Sequence, residues 1–394
     1  MPSPPVDLAR SPMQWAEDVL LADLRDGLLR QPRMRNGGNA VRCVIDGHQV
    51  VEFSSNDYLG LSIDHRVREA ASLAALECGV GSTGSRHLSG SHALMVELEA
   101  ALCGFAGTAT ATLAPTGYAA DMSALEALGG RDAAIFSDEH NHAAIADGCR
   151  ASNANVELFA HRDLDDLERR LSRSDGRPII VSDAVFATEG TIADVAGLSA
   201  IARRYGAWLV LDEAHATGVV GVGGRGVVAD AGLESDPLIV RIVTFSKALG
   251  ASGAAICGGE TVRQLLFQRG RPLIYSSALP HPVIAAVLAA LRVLHEEPER
   301  VQRLRENAEL LRSALGDVVA AAAHRGIPIV PVVIGDAVRA MELENALWEM
   351  GWMVHALRPP TVPVGTSRLR VVASALHDPG DIRGVAQAIR SLVT

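Results

Sequence analysis

The 394-residue sequence predicts an α/β fold: a mainly parallel central sheet with helices on both faces, followed by a smaller C-terminal α/β domain. Three observations predict it. From Asn56 onward, short apolar runs alternate with helical stretches. The runs are dense in Val, Ile and Leu and lack the polar alternation of a half-exposed strand, which places both of their faces in the interior. A long helical region, about 282 to 316, then separates this alternation from a second and shorter one.

The elements follow in order. "WAEDVLLADLRDGLLRQ" carries apolar residues at helical spacing and predicts an N-terminal amphipathic helix. It belongs to an N-terminal arm and strand spanning 1–55. A large domain, 56–285, follows. There "TATATLAPTG" precedes the helical "YAADMSALEALGG", "AAIFSDE" precedes "HAAIADGCRAS", and "PIIVSDAVF" precedes "VAGLSAIARRYG". "WLVLDEA" and "LIVRIVTFS" complete the series. The small domain, 286–394, ends in the helix "DIRGVAQAIRSLV". In such sheets ligands bind beyond the carboxyl ends of the strands.

Composition removes several function classes. A net charge of −10 argues against nucleic acid as a partner, and no apolar stretch reaches the length of a membrane span. The start "MPSPPVDLARSPMQW" lacks the basic end, apolar run and small-residue cleavage site of a secretory signal. Five scattered cysteines without a CxxC pair read as reduced thiols of a cytoplasmic protein. The histidines form no HExxH or ligand-like cluster, so no metal is expected.

One cation stands apart. Lys247, in "RIVTFSKALGASG", is the sole lysine among 36 Lys and Arg residues. Drift toward arginine accounts for the other 35 and would give arginine here too, unless guanidinium cannot do the work. An amine loses its proton when desolvated, becoming a nucleophile toward aldehydes and then a base; guanidinium stays protonated. The apolar run 238–243 before it, and Gly250 and Gly253 after it, place Lys247 in a tight loop at a strand end.

Other polar residues recur at strand ends. Asp212 closes "WLVLD", where an unpaired carboxylate is costly; alone it would read as a cap or half of an ion pair. Thr116-Gly117-Tyr118 lies between strand and helix, where free N–H groups can hold a phosphate, or where an ordinary loop can sit. His142 and His215, taken singly, read as capping or core histidines. Together they match an aldehyde cofactor with a phosphate, an aromatic ring and a ring nitrogen that needs an acid, as in pyridoxal phosphate. Two lookalikes fail. "GVGGRG" (221–226) lies beyond its strand and opens no helix, and "DEAH" (212–215) has no GxxxxGK[ST] loop to serve.

"FSSNDYLGLS", "GSTGSRHLSGSH", "DEAHATGVVG", "TFSKALG" and "RPPTVPVGTSRLR" resemble the α-oxoamine synthases, fold-type I pyridoxal-phosphate-dependent transferases, from about residue 15 to the C-terminus. The resemblance implies that Lys247 bonds to the cofactor aldehyde and later moves the substrate Cα proton. It places Asp212 on the pyridinium nitrogen, His142 stacked on the ring and His215 on the phenolic oxygen. Gly117 and Tyr118 N–H groups and the Thr244 hydroxyl would hold the phosphate. Ser277 would reach the phosphate of a neighbouring subunit, which implies a homodimer with shared sites. Arg370 would grip the amino-acid carboxylate bidentately, with Asn56 nearby. Arg30 would face the acyl substrate, and Ser85 and Thr361 would complete the substrate site.

The implied reaction is a decarboxylative condensation of L-alanine with a pimeloyl thioester, on coenzyme A or an acyl-carrier protein, as in biotin synthesis. A synthase using glycine, serine or another acyl thioester is the related alternative. Ser85 stands where glycine-using relatives tend to carry threonine, and its smaller side chain suits a methyl-bearing substrate. A non-catalytic scaffold subunit would be expected to have lost Lys247. One motif departs from the pattern: "VFATEG" stands where relatives read "VFSMDG" or "VFSADG", so Ala187 leaves His215 to serve the phenolic oxygen alone. A hydrogen bond to a charged group is worth about 1.5–3 kcal/mol.

Overall fold

The computed structural model describes residues 11–321 and 323–393; the first ten residues, including most of the stretch read as no secretory signal, lie outside it. Among the described residues the central sheet has seven strands, in the spatial order Thr110–Ala114, Ala254–Gly258, Ile239–Thr244, Trp208–Asp212, Arg177–Asp183, Ala133–Asp138 and Asn155–Phe159. Five successive strands, from Ile239–Thr244 to Asn155–Phe159, pair in parallel. Ala254–Gly258 runs antiparallel to both of its neighbours. That strand and Asn155–Phe159 escape a reading by apolar runs. "AAICG" is built of small residues, and "NVELF" is an edge strand exposed along most of its length.

The strands of the sheet interior are buried at nearly every position, as their unbroken apolar runs require. Helices on its two faces pack into separate apolar clusters. Side chains at the strand-to-helix turns fix where those helices begin. Thr116, His142, Asp163 and Asp194 each accept a hydrogen bond from a first-turn N–H.

The N-terminal helix runs Pro12–Arg25, shorter than its apolar pattern, because Asp26 caps it and Gly27 turns the chain at φ +66°. None of its residues is buried. The helical region expected at about 282–316 is two helices, His281–Glu296 and Glu299–Leu315, interrupted at Pro298, whose ring cannot continue the first.

A second core lies under a three-stranded antiparallel sheet of Ile329–Gly335, Ser367–Val372 and His355–Leu357. The N-terminal strand His48–Glu52 joins this end of the molecule by pairing in parallel with Trp352–Met353. The Val372 N–H then donates to the Phe53 carbonyl at 2.7 Å. "SSNDY" therefore leaves the C-terminal unit and enters the large sheet's territory, where Tyr58 is fully buried.

Candidate active site

The carboxyl ends of the parallel strands open into a cavity of about 230 Å³ lined by Gly117, Tyr118, Asp121, His142, Asp183, Asp212, His215, Thr244 and Lys247, among others. Eight of the residues singled out in the sequence meet here: Thr116, Gly117, Tyr118, His142, Asp212, His215, Thr244 and Lys247. Local rules put them there. Asp183 and Asp212 are partners in the register of adjacent parallel strands, so both carboxylates emerge side by side. Lys247 sits in the turn after Ile239–Thr244, where its carbonyl accepts from the Gly250 N–H at 2.9 Å. Gly250 has φ +64°, and a Cβ there would lie 2.2 Å from the Ser62 backbone nitrogen, so only glycine closes this turn.

One end of the cavity is built for an anion. The first helical bond of Gly117–Leu128 runs from the Ala120 N–H to the Thr116 carbonyl, and Thr116 Oγ1 accepts from Ala119. The N–H groups of Gly117 and Tyr118 precede both bonds and face outward from a helix start. The buried hydroxyl of Thr244 has no hydrogen-bond partner among the described residues. A Cβ at Gly117 would come within 2.6 Å of Thr244 Cγ2, so the glycine keeps this cradle open.

The middle of the cavity is charged and buried. Asp212 Oδ1 accepts from the Ala214 N–H at 2.8 Å, and Asp183 Oδ2 accepts from the His142 N–H at 2.8 Å. His142 combines two of the roles open to it, since its Nδ1 also caps the helix Ala143–Ala151 by accepting from Ala144. Burial lowers the pKa of His142, against the pull of Asp212. Burial pushes His215 well below its ordinary value, aided by the positive charges of Lys247 and Arg370. Burial likewise lowers Lys247, while Asp212, Asp183 and Asp121 hold it up. Two neutral imidazoles and a lysine closer to neutrality than a solvated one are the result.

From His215 a line of close polar contacts leads out toward Arg370. The Tyr58 hydroxyl lies 2.6 Å from His215 Nδ1 and 3.3 Å from Asn56 Oδ1. Asn56 Oδ1 already accepts from Arg370 Nη2 at 3.0 Å, so the single phenolic proton is best donated to His215, which leaves Nε2 carrying the imidazole proton. Arg370 Nε donates to the Ala187 carbonyl at 2.7 Å. Position 187 thus meets Arg370 through its backbone, an interaction that any side chain preserves.

The remaining candidates lie outside the cavity lining. Ser277 is exposed on this chain, and the next residue ties its segment to the "GSTGSR" loop, with the Ala278 N–H donating to the Gly84 carbonyl at 2.9 Å. Ser85 is buried beside it, its carbonyl accepting from Leu88 and Gly90. Arg30 donates to the Pro359 carbonyl at 3.1 Å, and the Thr361 N–H to the Arg358 carbonyl at 3.1 Å. Arg30 therefore rests against the strap 358–361 on which Thr361 stands. Asp121, Asp183 and Tyr58 join the site without a sequence signal of the kind that marks Lys247. Asp183 was legible, since "IIVSD" ends a strand as "WLVLD" does. Asp121 falls four residues after Gly117 on the same helix face.

These features define a pyridoxal-phosphate site: an anion cradle, a buried carboxylate, two neutral imidazoles and a deprotonatable amine fit that cofactor's phosphate, ring nitrogen, ring face, phenol and aldehyde. The sequence profile of aminotransferase class I and II matches residues 48–389. The 8-amino-7-oxononanoate synthase of Anaeromyxobacter sp. (strain K) is 40% identical over 387 residues, 98% of this chain and 97% of its own. That of Alkalilimnicola ehrlichii is 39% identical over 372 residues, 94% and 95% of the two chains. Among solved structures, Sphingomonas wittichii serine palmitoyltransferase superposes with a TM-score of 0.89 at 28% identity, covering 99% of this chain and 98% of its own. The 8-amino-7-oxononanoate synthase of Francisella tularensis gives 0.75 at 26%, covering 87% and 97%.

The chain belongs to the aminotransferase class I and II family, among its pyridoxal-phosphate-dependent α-oxoamine synthases. The curated relatives named above are 8-amino-7-oxononanoate synthases.

Proposed function

We propose that this enzyme condenses L-alanine with a pimeloyl thioester, releasing carbon dioxide and the thiol carrier and giving 8-amino-7-oxononanoate for biotin synthesis. The observation that carries the proposal is the convergence of Lys247, Asp212, His142 and His215 on one cavity, linked through Tyr58 and Asn56 to Arg370. The near-full-length identity to 8-amino-7-oxononanoate synthases supports the choice of substrates.

Bound pyridoxal phosphate supplies an aldehyde that takes the substrate's amino group and a ring that withdraws electron density from its Cα. The Gly117 and Tyr118 N–H groups and the Thr244 hydroxyl hold the phosphate. Asp212 would accept a hydrogen bond from the protonated ring nitrogen and keep it charged. His142 would cover one ring face, and His215 would donate its Nε2–H to the phenolic oxygen. Arg370 is held by Ala187 and Asn56 and turns its remaining N–H groups to the amino-acid carboxylate. Lys247, its pKa lowered by burial, takes the Cα proton and returns one at the end of the cycle. Ser277, exposed on one chain, completes the phosphate site of a second copy in a homodimer. Thr361, on the strap 358–361, Arg30, which bonds to that strap, and Ser85 face the acyl substrate.

The thioester is carried by coenzyme A or an acyl-carrier protein, and the enzyme works in the cytoplasm; among the described residues no helix is long and apolar enough to cross a membrane. The close superposition on serine palmitoyltransferases favours serine with a longer acyl chain as the second reading. Purified protein given L-alanine, glycine or L-serine with pimeloyl or palmitoyl thioesters decides between them. Thiol release with alanine and pimeloyl thioester, and the product's mass, are the expected result. Turnover confined to serine and palmitoyl thioester would replace this assignment with the second.

A further inference from the structure

Three carboxyl groups, Asp121, Asp183 and Asp212, face one amine in this cavity, and they are not equivalent. Asp212 and Asp183 each accept a backbone N–H at 2.8 Å. Asp121, on the helix Gly117–Leu128, is 2% exposed, and its Oδ1 has no hydrogen-bond partner among the described residues. Apart from Lys247, the titratable groups around it supply no positive charge. Asp212 and Asp183 project from strand ends and His142 is neutral. Cys149, on the helix Ala143–Ala151, has its thiol pushed up to about 12, by burial first, with Asp121 adding to the rise. A lone ammonium cannot balance three buried carboxylates, so at least one retains its proton. The carboxyl without an N–H donor gains least from ionising.

From this geometry we infer that Asp121 is a permanently protonated carboxylic acid that donates its O–H to Asp212, making it a positioning residue for the carboxylate that serves the cofactor's ring nitrogen. Burial, then the negative charges of Asp212 and Asp183, hold its pKa well above the usual carboxyl range, in keeping with that state. The donated hydrogen bond favours Asp212 as an anion and fixes the carboxylate in the direction the ring nitrogen requires. Asp121 is thus a neutral member of the acidic cluster, and the cluster's charge with Lys247 falls to one that the site can sustain. The inference rests on the pyridoxal-phosphate reading of the cavity for its purpose, but not for its test.

The test begins with the cofactor-free protein, compared as wild type and Asp121→Asn by infrared difference spectroscopy near neutral pH. The expected difference contains the C=O stretch of a protonated carboxylic acid, present in wild type and absent from the variant. A carboxylate stretch in its place would overturn the inference, whatever the cofactor. Rescue by shape supplies the second measurement, cofactor binding followed by absorbance. Asp121→Asn, whose amide also donates, should bind pyridoxal phosphate as wild type does. Asp121→Ala should bind about ten-fold more weakly, for want of a donor to a charged group. Equal loss in Asn and Ala variants would show that Asp121 acts as an anion toward Lys247 and would refute its role as a donor. Failure of wild type to bind the cofactor would overturn the reading of the site while leaving the infrared result intact.

Discussion

Lowering the pH should destabilise this protein through one buried histidine, His377, and the size of the effect can be worked from its surroundings. His377 lies 4% exposed at the joint between the C-terminal unit and the "SSNDY" segment. Its Nδ1 accepts from the Ser374 N–H at 2.9 Å, its Nε2–H donates to the Glu52 carbonyl at 2.9 Å, and its ring stacks on Phe53 at 4.0 Å. A second proton would have to go onto Nδ1, which already faces a donor. Burial is the leading cause that lowers its pKa from 6.5 to about 4, opposed by the Glu52 carbonyl. Above pH 6.5 the ring is neutral in both folded and unfolded chains, and its contribution to stability is complete. As the pH falls through 6.5 the unfolded chain takes up a proton that the folded chain refuses. Stability drops until about pH 4, where the folded protein protonates too. Linkage puts this loss at about 2 kcal/mol by pH 5 and about 3 kcal/mol below pH 4. Burial raises the pKa of Asp121 and Asp183 in the folded chain, and their contribution to the pH dependence has the opposite sign. The difference between wild type and His377→Gln isolates the histidine, because glutamine offers an acceptor and a donor but no titration. Urea unfolding at a series of pH values should show the wild-type advantage shrinking by about 2 kcal/mol between pH 7 and pH 5. Parallel profiles for the two proteins would show that His377 does not set this pH dependence.

Three further outcomes are expected. Borohydride reduction of the cofactor-loaded protein should label one peptide and abolish the single internal cut made by a lysine-specific protease at Lys247, a result read by mass spectrometry. Arg370→Lys should raise the KM for the amino acid by about 10- to 100-fold with folding little changed, because an ammonium cannot hold Ala187 and Asn56 while gripping a carboxylate with two parallel bonds; steady-state kinetics and a melting curve check both halves. Glu213→Gln should cost about 3–5 kcal/mol in urea unfolding, since it strands the fully buried Arg241 whose Nε donates to Glu213 at 2.5 Å.

What the sequence disclosed and what it withheld divide along a physical line. A lone lysine at a strand end, an aspartate closing an apolar run, and a threonine-glycine pair before a helix are local signals, and each of those residues stands at the cavity. The strand–helix alternation gave the parallel sheet for the same reason, because periodicity is written within each segment. The partners that give these residues their chemistry come from elsewhere in the chain. Asn56 meets Arg370 across 314 residues, and Tyr58 meets His215 across 157, contacts that exist only in the folded chain. No window on the sequence contains them.

The departure at Ala187 shows how this matters. Read as a side chain, it is a missing hydroxyl beside a phenolic oxygen. In the folded chain its carbonyl is also one of the two anchors of Arg370, at 2.7 Å, and the next two residues reinforce that anchor. Thr188 bonds to Glu189, and Arg368, two residues before Arg370 on the same strand, reaches Glu189 at 3.3 Å. Arg368 and Arg370 project from one face of the strand Ser367–Val372, as residues two apart in a strand must. One grips the loop through Glu189 and the other through the Ala187 carbonyl, so the loop holds its place through its backbone and its acid, with no part required of the side chain at 187. The motif "ATEG" therefore preserves the positioning of Arg370 even where it alters the cofactor's surroundings, and the two functions of the loop can vary independently.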